Sequence, residues 1–279
     1  MALLDHFGQP AVRQQLDTIL SGGRLPHAIL MYGEPGSGIL PGAISLANDI
    51  ICTSPQQGKA CRNCPSCNRA AKNIHPDLHF LLPLAGAKSL TEEFLGPWRE
   101  AISTNPWLDV FQWTQFCEVE GKQVDIHKED IQHVTADLSL QAFEGGNKVL
   151  VIWMAQFLAR EGNRLLKMIE EPPEQTYFIL VTNQREQVLP TIRSRCMQLY
   201  FPPMEQDEIL RLLVEEYKVD RNAAPLIARQ SVNNMGRAFS IAHNTMMNFK
   251  DEMASWFRAI IARKGHDLGS WSTKMGSQE

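Results

Sequence analysis

The stretch Ala28-Ile29-Leu30-Met31-Tyr32-Gly33-Glu34-Pro35-Gly36-Ser37-Gly38-Ile39-Leu40 decides the fold class. Five apolar residues run into a turn of glycine and proline, and a helical pattern leaves it. A short apolar run bounded by turn residues reads as a buried strand. Four more such runs follow, at residues 78–82, 149–153, 177–182 and 197–201. Helical patterns separate them. Upstream, Val12, Leu16, Ile19 and Leu20 share one helical face, closed by Ser21-Gly22-Gly23. Between the third and fourth runs, Leu158, Leu165, Leu166 and Ile169 predict one continuous helix over 158–171, ended by Pro172-Pro173. Strands alternating with helices predict an α/β fold built on a five-stranded parallel sheet.

Strand signals stop after Phe201-Pro202-Pro203. Ile209, Leu212, Leu213 and Tyr217 then make one helical face, 225–229 begins a second helix and 236–242 a third. The expected organisation is an α/β domain over 1–203 with an inserted cysteine knuckle at 52–67. A small helical lid at 204–243 follows, and then the start of a helical collar domain at 244–279. A lone helix through Thr245, Phe257 and Ile261 buries no core of its own, so the collar is expected to be cut short. Residues 85–121, with Trp98, Trp107 and Trp113, carry no pattern that assigns them a role.

The 279 residues are 44% hydrophobic and 21% charged, an ordinary globular balance, with a formal net charge of −4. That acidic balance argues against an autonomous DNA binder. No apolar run approaches the roughly 20 residues that span a bilayer. The opening MALLDHFGQP has no basic region followed by an apolar stretch, so it is not a secretory signal and the expected location is the cytoplasm, with no membrane partner.

The turn Gly33-Glu34-Pro35-Gly36-Ser37-Gly38 has the glycine spacing of a phosphate-binding loop, in which backbone N–H groups and a helix N-terminus hold phosphates. The full motif continues with lysine and then serine or threonine. Here Ile39 and Leu40 stand in those places, so the ammonium for the phosphates and the hydroxyl for Mg²⁺ are both missing. The loop is degenerate, and two readings stay open: a tight strand-to-helix turn, or weak anion binding at the surviving amides.

Cys52, Cys61, Cys64 and Cys67 offer four thiolates on one loop. In a reducing compartment such a cluster points to metal rather than disulfides. Four sulfurs close a tetrahedron around Zn²⁺ and leave no open position, so the expected site is structural zinc. The rival is an iron–sulfur cluster, for which the expected fourth cysteine three residues after Cys67 is absent. Lys59, Arg62, Arg69 and Lys72 lie close enough in sequence to offset the charge of a four-thiolate centre. Cys117 and Cys196 have no partner at ligand spacing and read as ordinary core thiols.

Several local motifs together carry a family resemblance. They are Gly22-Gly23-Arg24-Leu25-Pro26-His27-Ala28, the degenerate loop, the four cysteines, His75-Pro76-Asp77, Lys148-Val149, NRLLKMIEEPP at 163–173, and Ser194-Arg195-Cys196. Over about residues 7–243 the chain resembles the delta-prime family of bacterial DNA polymerase III clamp-loader subunits, a degenerate branch of AAA+. In active AAA+ members two acidic residues follow the third strand, and here Trp153 and Met154 occupy those positions. The resemblance therefore implies a non-hydrolysing stator with no intrinsic ATPase and no bound nucleotide. Its partners would be gamma/tau and delta subunits, and through them the sliding clamp on primed DNA. Arg195, flanked by Ser194 and Cys196, would reach the nucleotide of a neighbouring ATPase as an arginine finger. Arg237 stands where a sensor arginine is found, but without a competent loop its expected role is structural. The alternatives are an active P-loop ATPase, disfavoured by Ile39, Leu40, Trp153 and Met154, and a zinc-dependent nucleic-acid-binding module, disfavoured by the acidic balance.

Overall fold

The computed structural model describes residues 7–22, 25–86, 89–119, 121–144 and 146–243. In chain order its elements are α1 (Pro10–Ser21), β1 (Ala28–Gly33), α2 (Ile39–Ile51), α3 (Pro65–Ala70), β2 (Leu78–Leu81), β3 (Leu84–Ala85) and α4 (Thr91–Thr104). Next come α5 (Val110–Phe116), β4 (Val124–Asp125), α6 (Lys128–Ser139), β5 (Lys148–Trp153), α7 (Leu166–Glu170), β6 (Thr176–Thr182) and α8 (Pro190–Arg193). Then follow β7 (Met197–Phe201), α9 (Gln206–Glu215), α10 (Ala224–Gln230) and α11 (Met235–Ala242). The expected collar start at 244–279 lies outside the described residues, as do Gly23 and Arg24 of the motif before the first strand and residues 1–6.

The five apolar runs form one parallel sheet in the order β2-β5-β6-β1-β7. Parallel strands need crossover helices, which bury both faces, and this is why the runs are continuously apolar rather than alternating. Every residue of β5 is buried. Its side chains still divide by parity: Val149, Val151 and Trp153 join the core beneath α1, α2, α4 and α5, while Leu150 and Ile152 join the core beneath α6, α7 and α8. α2 is buried along its whole length, consistent with its near-continuous apolar sequence.

Residues 85–121 acquire a structural role. β3 and β4 pair as a short antiparallel ribbon absent from the sequence expectation. α4 and α5 lay Trp98 and Trp113 against Trp153 of β5, with ring centroids 4.9 to 6.3 Å apart. All three rings are fully enclosed. Trp98→Ala is therefore expected to lower unfolding free energy by about 3–5 kcal/mol, as large-to-small aromatic changes in tight cores do. Urea denaturation reads this directly, and a loss below about 1 kcal/mol would mean the cluster is not a packed core.

The continuous helix expected over 158–171 is corrected. A 3-10 segment (Ala155–Arg164) breaks at Ala159, with φ 43° and ψ −133°, and a separate five-residue helix, α7, follows. Arg160-Glu161-Gly162-Asn163 contains poor helix formers, and Gly162 packs against the Ile192 and Leu189 side chains, where a Cβ would stand 2.9 Å from Ile192. Leu158, Leu165 and Ile169 are nevertheless buried, so the apolar spacing was honoured by a different backbone. The three helices α9, α10 and α11 form as expected around Ile209, Leu212, Leu213, Ala228, Met235 and Phe239, and Trp107 joins that cluster. Among the described residues no helix is long and apolar enough to cross a membrane.

Candidate functional site

β1, β5 and β6 deliver Gly33, Trp153 and Thr182 to one end of the sheet, the carboxyl end at which open α/β sheets bind ligands. Gly36 (φ 76°) and Gly38 (φ 95°) are left-handed, which the tight turn from β1 into α2 requires. What lies around it differs. The Gly36 carbonyl accepts the N–H of Met235 at 3.1 Å, and the Ser37 carbonyl accepts the Gln9 amide at 2.9 Å. A Cβ on Gly36 would fall 2.0 Å from Asn234 Oδ1, and one on Gly38 would fall 2.4 Å from the Phe7 carbonyl. The N-terminal segment and the start of α11 are thus pressed onto the loop.

The space left against the loop itself is a cleft of about 40 Å³, lined by the loop together with Trp107, Leu108, Trp153 and Met154, and a wider groove of about 380 Å³, lined by Tyr32, Arg185 and Tyr200, adjoins it through Glu34 and Asn183. Drug-sized ligands occupy roughly 300–1,000 Å³. Among the described residues no lysine or arginine lines the cleft, and its carboxylates are Glu34 and Asp109. Asp109 is already the N-cap of α5, accepting the Gln112 N–H at 2.8 Å. Ile39 and Leu40 are buried in the sheet core. The polar groups behind the cavity satisfy one another: Gln156 accepts the Thr182 hydroxyl at 2.6 Å and donates to Asn183 Oδ1 at 2.7 Å. Trp107, Gln156 and the Gln9 latch were not legible in the sequence, because their role depends on contacts made across the fold. Trp107 donates its indole N–H to the Tyr217 hydroxyl, fastening the α4–α5 segment to the lid helices, and burial pushes that phenol well above its usual range.

The structure brings the four expected cysteines together. Their Sγ atoms all lie within 4.8 Å of one another, with Cys52 3.7 Å from Cys61 and Cys61 3.9 Å from Cys67. Four thiolates about 2.3 Å from a tetrahedral Zn²⁺ stand about 3.8 Å apart, so the donor set fits such an ion. Backbone N–H groups also point at the sulfurs: Ser54 and Cys61 donate to Cys52, and Cys67 donates to Cys64. Burial raises the Cys67 thiol and the Cys52 thiol. Burial also opposes ionisation of Cys64, but the Cys67 N–H, the Thr53 side chain and the neighbouring sulfurs outweigh it and hold that thiol near 6. Backbone N–H groups thus favour the ionised form at Cys64 and at Cys61. Cys117 and Cys196 sit apart from the cluster, and burial pushes their thiols up to about 11 and about 12.

The basic residues beside the knuckle are mostly committed to acids of the same chain. Lys59 pairs with Asp17, Arg62 with Asp49, and Arg69 with Glu144. Glu144 also accepts from Ser66 of α3 and lies 3.1 Å from His75 Nε2. The Ser66 hydroxyl, then His75 and Arg69, hold the Glu144 carboxyl below its usual range. His75 Nδ1 accepts the Asp77 N–H, which leaves Nε2 as the donor, so Ser66, His75 and Glu144 form a clamp on the knuckle rather than a nucleophile and its base.

Arg195 follows α8 on the surface. Its Nε donates to Glu170 of α7 and one Nη donates to the Thr191 carbonyl at 2.9 Å, while its side chain stays 37% exposed. Ser194 caps back to Thr191 and Cys196 is buried. The guanidinium is thus aimed by the fold without being enclosed by it. Arg237 is likewise exposed, on α11, and its backbone N–H is capped by Asn234. Glu170, the aiming partner, lies inside the 163–173 motif, where sequence alone gave it no role.

Comparison with known proteins adds a family match. A family model described as "DNA polymerase III, delta subunit" matches residues 8–205. The chain is 28% identical over 260 residues to the DNA polymerase III subunit delta' of Bacillus subtilis (strain 168), covering 92% of this chain and 67% of that protein. It is 28% identical over 229 residues to the subunit delta' of Escherichia coli (strain K12), covering 82% of this chain and 58% of that one. It is also similar to a crystal structure of a DNA polymerase III gamma subunit-related protein from Thermotoga maritima, at 14% identity and a TM-score of 0.40, over 87% of this chain and 65% of that one. The chain spans between about half and two thirds of the length of these curated relatives.

Proposed function

This chain belongs to the bacterial DNA polymerase III delta-prime subunit family, and on that premise we propose that it is a non-hydrolysing stator of the clamp loader. In this reading it stands beside a gamma/tau ATPase subunit and a delta subunit, and the assembly loads the sliding clamp on primed DNA. The observation that carries the reading is the cleft of about 40 Å³ at the loop, which among the described residues is lined without a lysine or arginine and is walled by Trp107, Trp153 and Met154. A nucleoside triphosphate needs both volume and cationic partners for its phosphates. Among the described residues, the cleft at the loop offers neither.

Arg195 supplies the complementary half of the reading. An arginine finger stabilises charge in the phosphoryl-transfer transition state of another subunit, which requires a guanidinium that reaches solvent yet is held in one orientation. Glu170 and the Thr191 carbonyl hold it, and its exposure leaves it accessible. The four cysteines are read as a structural zinc site, held by Cys52, Cys61, Cys64 and Cys67. A closed four-thiolate site supplies cross-linking of a loop and no reaction step.

Neither rival has matching support. An active ATPase needs acidic ligands after β5, where Trp153 and Met154 are buried instead. A nucleic-acid module needs a cluster of basic groups facing outward, whereas of the four beside the knuckle Lys59, Arg62 and Arg69 each pair with an acid of this chain and Lys72 alone is exposed without such a pair among the described residues. The test is capture of gamma/tau and delta subunits by the tagged full chain. The stator reading expects a complex containing both, formed with or without ATP. Failure to capture gamma/tau under either condition would overturn it.

A further inference from the structure

Asp49 lies three residues before Cys52 on α2, and its carboxylate is almost fully enclosed, with 1% of the side chain exposed. A buried carboxylate is tolerated only where donors and opposite charges meet it. Oδ1 accepts the Ala60 N–H at 2.9 Å and the Arg62 guanidinium at 3.0 Å, and Oδ2 accepts the Arg13 guanidinium at 3.1 Å. Ala60 and Arg62 are the two neighbours of Cys61. The carboxylate therefore grips the chain on both sides of one ligand while standing one turn of helix from another.

The backbone between those grips is unusual. Arg62 has φ 62°, in the left-handed region that a long side chain rarely enters. The turn follows directly on Cys61, whose N–H donates to Cys52 Sγ at 3.3 Å. Beyond Asp49 the charges continue: Arg13 also meets Asp17 at 2.9 Å and the Ser45 hydroxyl at 2.9 Å, and Lys59 meets Asp17 at 2.6 Å. Among the described residues, Arg13, Lys59 and Arg62 thus alternate with Asp17 and Asp49 from α1 to the knuckle.

We propose that Asp49 is the positioning residue of the four-cysteine metal centre, fixing through Ala60 and Arg62 the left-handed turn that carries Cys61 onto Cys52. The proposal rests on the zinc reading above. Groups that orient ligands without touching the metal typically contribute 10–100-fold to its affinity. A residue that merely braces α1 against α2 would change the stability of the metal-free fold and leave that affinity alone.

The experiment titrates the full chain with Co²⁺, followed by the thiolate charge-transfer and ligand-field bands, and competes its Zn²⁺ against a chromophoric chelator. Wild type is expected to give a four-thiolate tetrahedral spectrum. Asp49→Asn is expected to keep that spectrum at saturation but to weaken both metals by 10–100-fold. Arg62→Gln removes one arm and leaves the Arg13 contact in place, so it remains readable if Asp49→Asn does not fold, and a weakening of at least several-fold is expected. Affinities within twofold of wild type in the folded variants, with only the metal-free melting temperature lowered, would overturn the proposal. A wild-type chain with no four-thiolate spectrum would instead overturn the zinc reading and remove the ground for this one.

Discussion

Arg195→Ala in a complex reconstituted from this chain with gamma/tau and delta subunits should leave assembly intact and slow ATP hydrolysis at the site that the arginine serves. The size follows from what a guanidinium does in phosphoryl transfer. Charge spreads over the transferring group, and a positioned arginine finger is worth about 10³–10⁵ in rate. Single-turnover hydrolysis isolates that site from the other ATPase sites of the complex. Arg195→Lys should recover little of the loss, because an ammonium keeps the charge but not the planar fork. Folding should barely change: the pair with Glu170 is exposed on both sides, with side chains 37% and 44% accessible, and such pairs contribute about 0–1 kcal/mol. Unchanged turnover with a correctly assembled complex would remove the arginine from the mechanism.

Cys64→Ser should have the second largest effect, on metal content and on the knuckle. Cys64 belongs to the sulfur tetrad and is also the N-cap of α3, its sulfur accepting the Cys67 N–H at 3.4 Å. A serine hydroxyl can take over the cap, but it is a poor ligand for zinc beside three thiols. In isolated zinc-binding peptides the metal contributes an apparent ~10–16 kcal/mol and its loss unfolds the chain. Here the outcome should be local. The Asp49 contacts hold the loop from one side and the Ser66, His75 and Glu144 clamp holds α3 from the other. The sheet lies beyond both. Metal analysis should therefore show loss of stoichiometric zinc, and hydrogen exchange should show lost protection over 52–67 with β1, β5 and β6 unchanged. Retained stoichiometric zinc in the variant would show that the ligand set is wrong, and iron with visible absorbance in wild type would show that the metal is.

Much of the sheet was legible because its signal is local. A run such as Val149-Leu150-Val151-Ile152-Trp153 can be satisfied only between two helical layers, so its sequence carries its environment. The clustering of the four cysteines was legible for a similar reason, since four thiols within sixteen residues declare themselves by type and spacing. The helix over 158–171 misled because apolar periodicity specifies which residues go inside, not whether the backbone between them stays regular. Leu158, Leu165 and Ile169 reached the core across a break at Ala159.

The site's closure was harder to see. Ile39 and Leu40 announce a missing lysine and hydroxyl, but nothing in the order of residues says that Trp107 would lie against Gly236 and the loop, or that Asn234 would crowd Gly36. Those contacts join segments more than sixty residues apart, and only the folded chain holds them. Asp49 was missed for the same reason. One acid on an apolar helix reads as unremarkable until the turn that it grips is in place.

Equilibrium binding of ATP to the purified full chain, with Mg²⁺ and without partner subunits, is the decisive measurement. A loop cleft of about 40 Å³, lined among the described residues by no lysine or arginine, should give no saturable binding at millimolar nucleotide and no release of phosphate above buffer. Saturable Mg²⁺-dependent binding accompanied by turnover, and abolished by a substitution at Gly38, would contradict it.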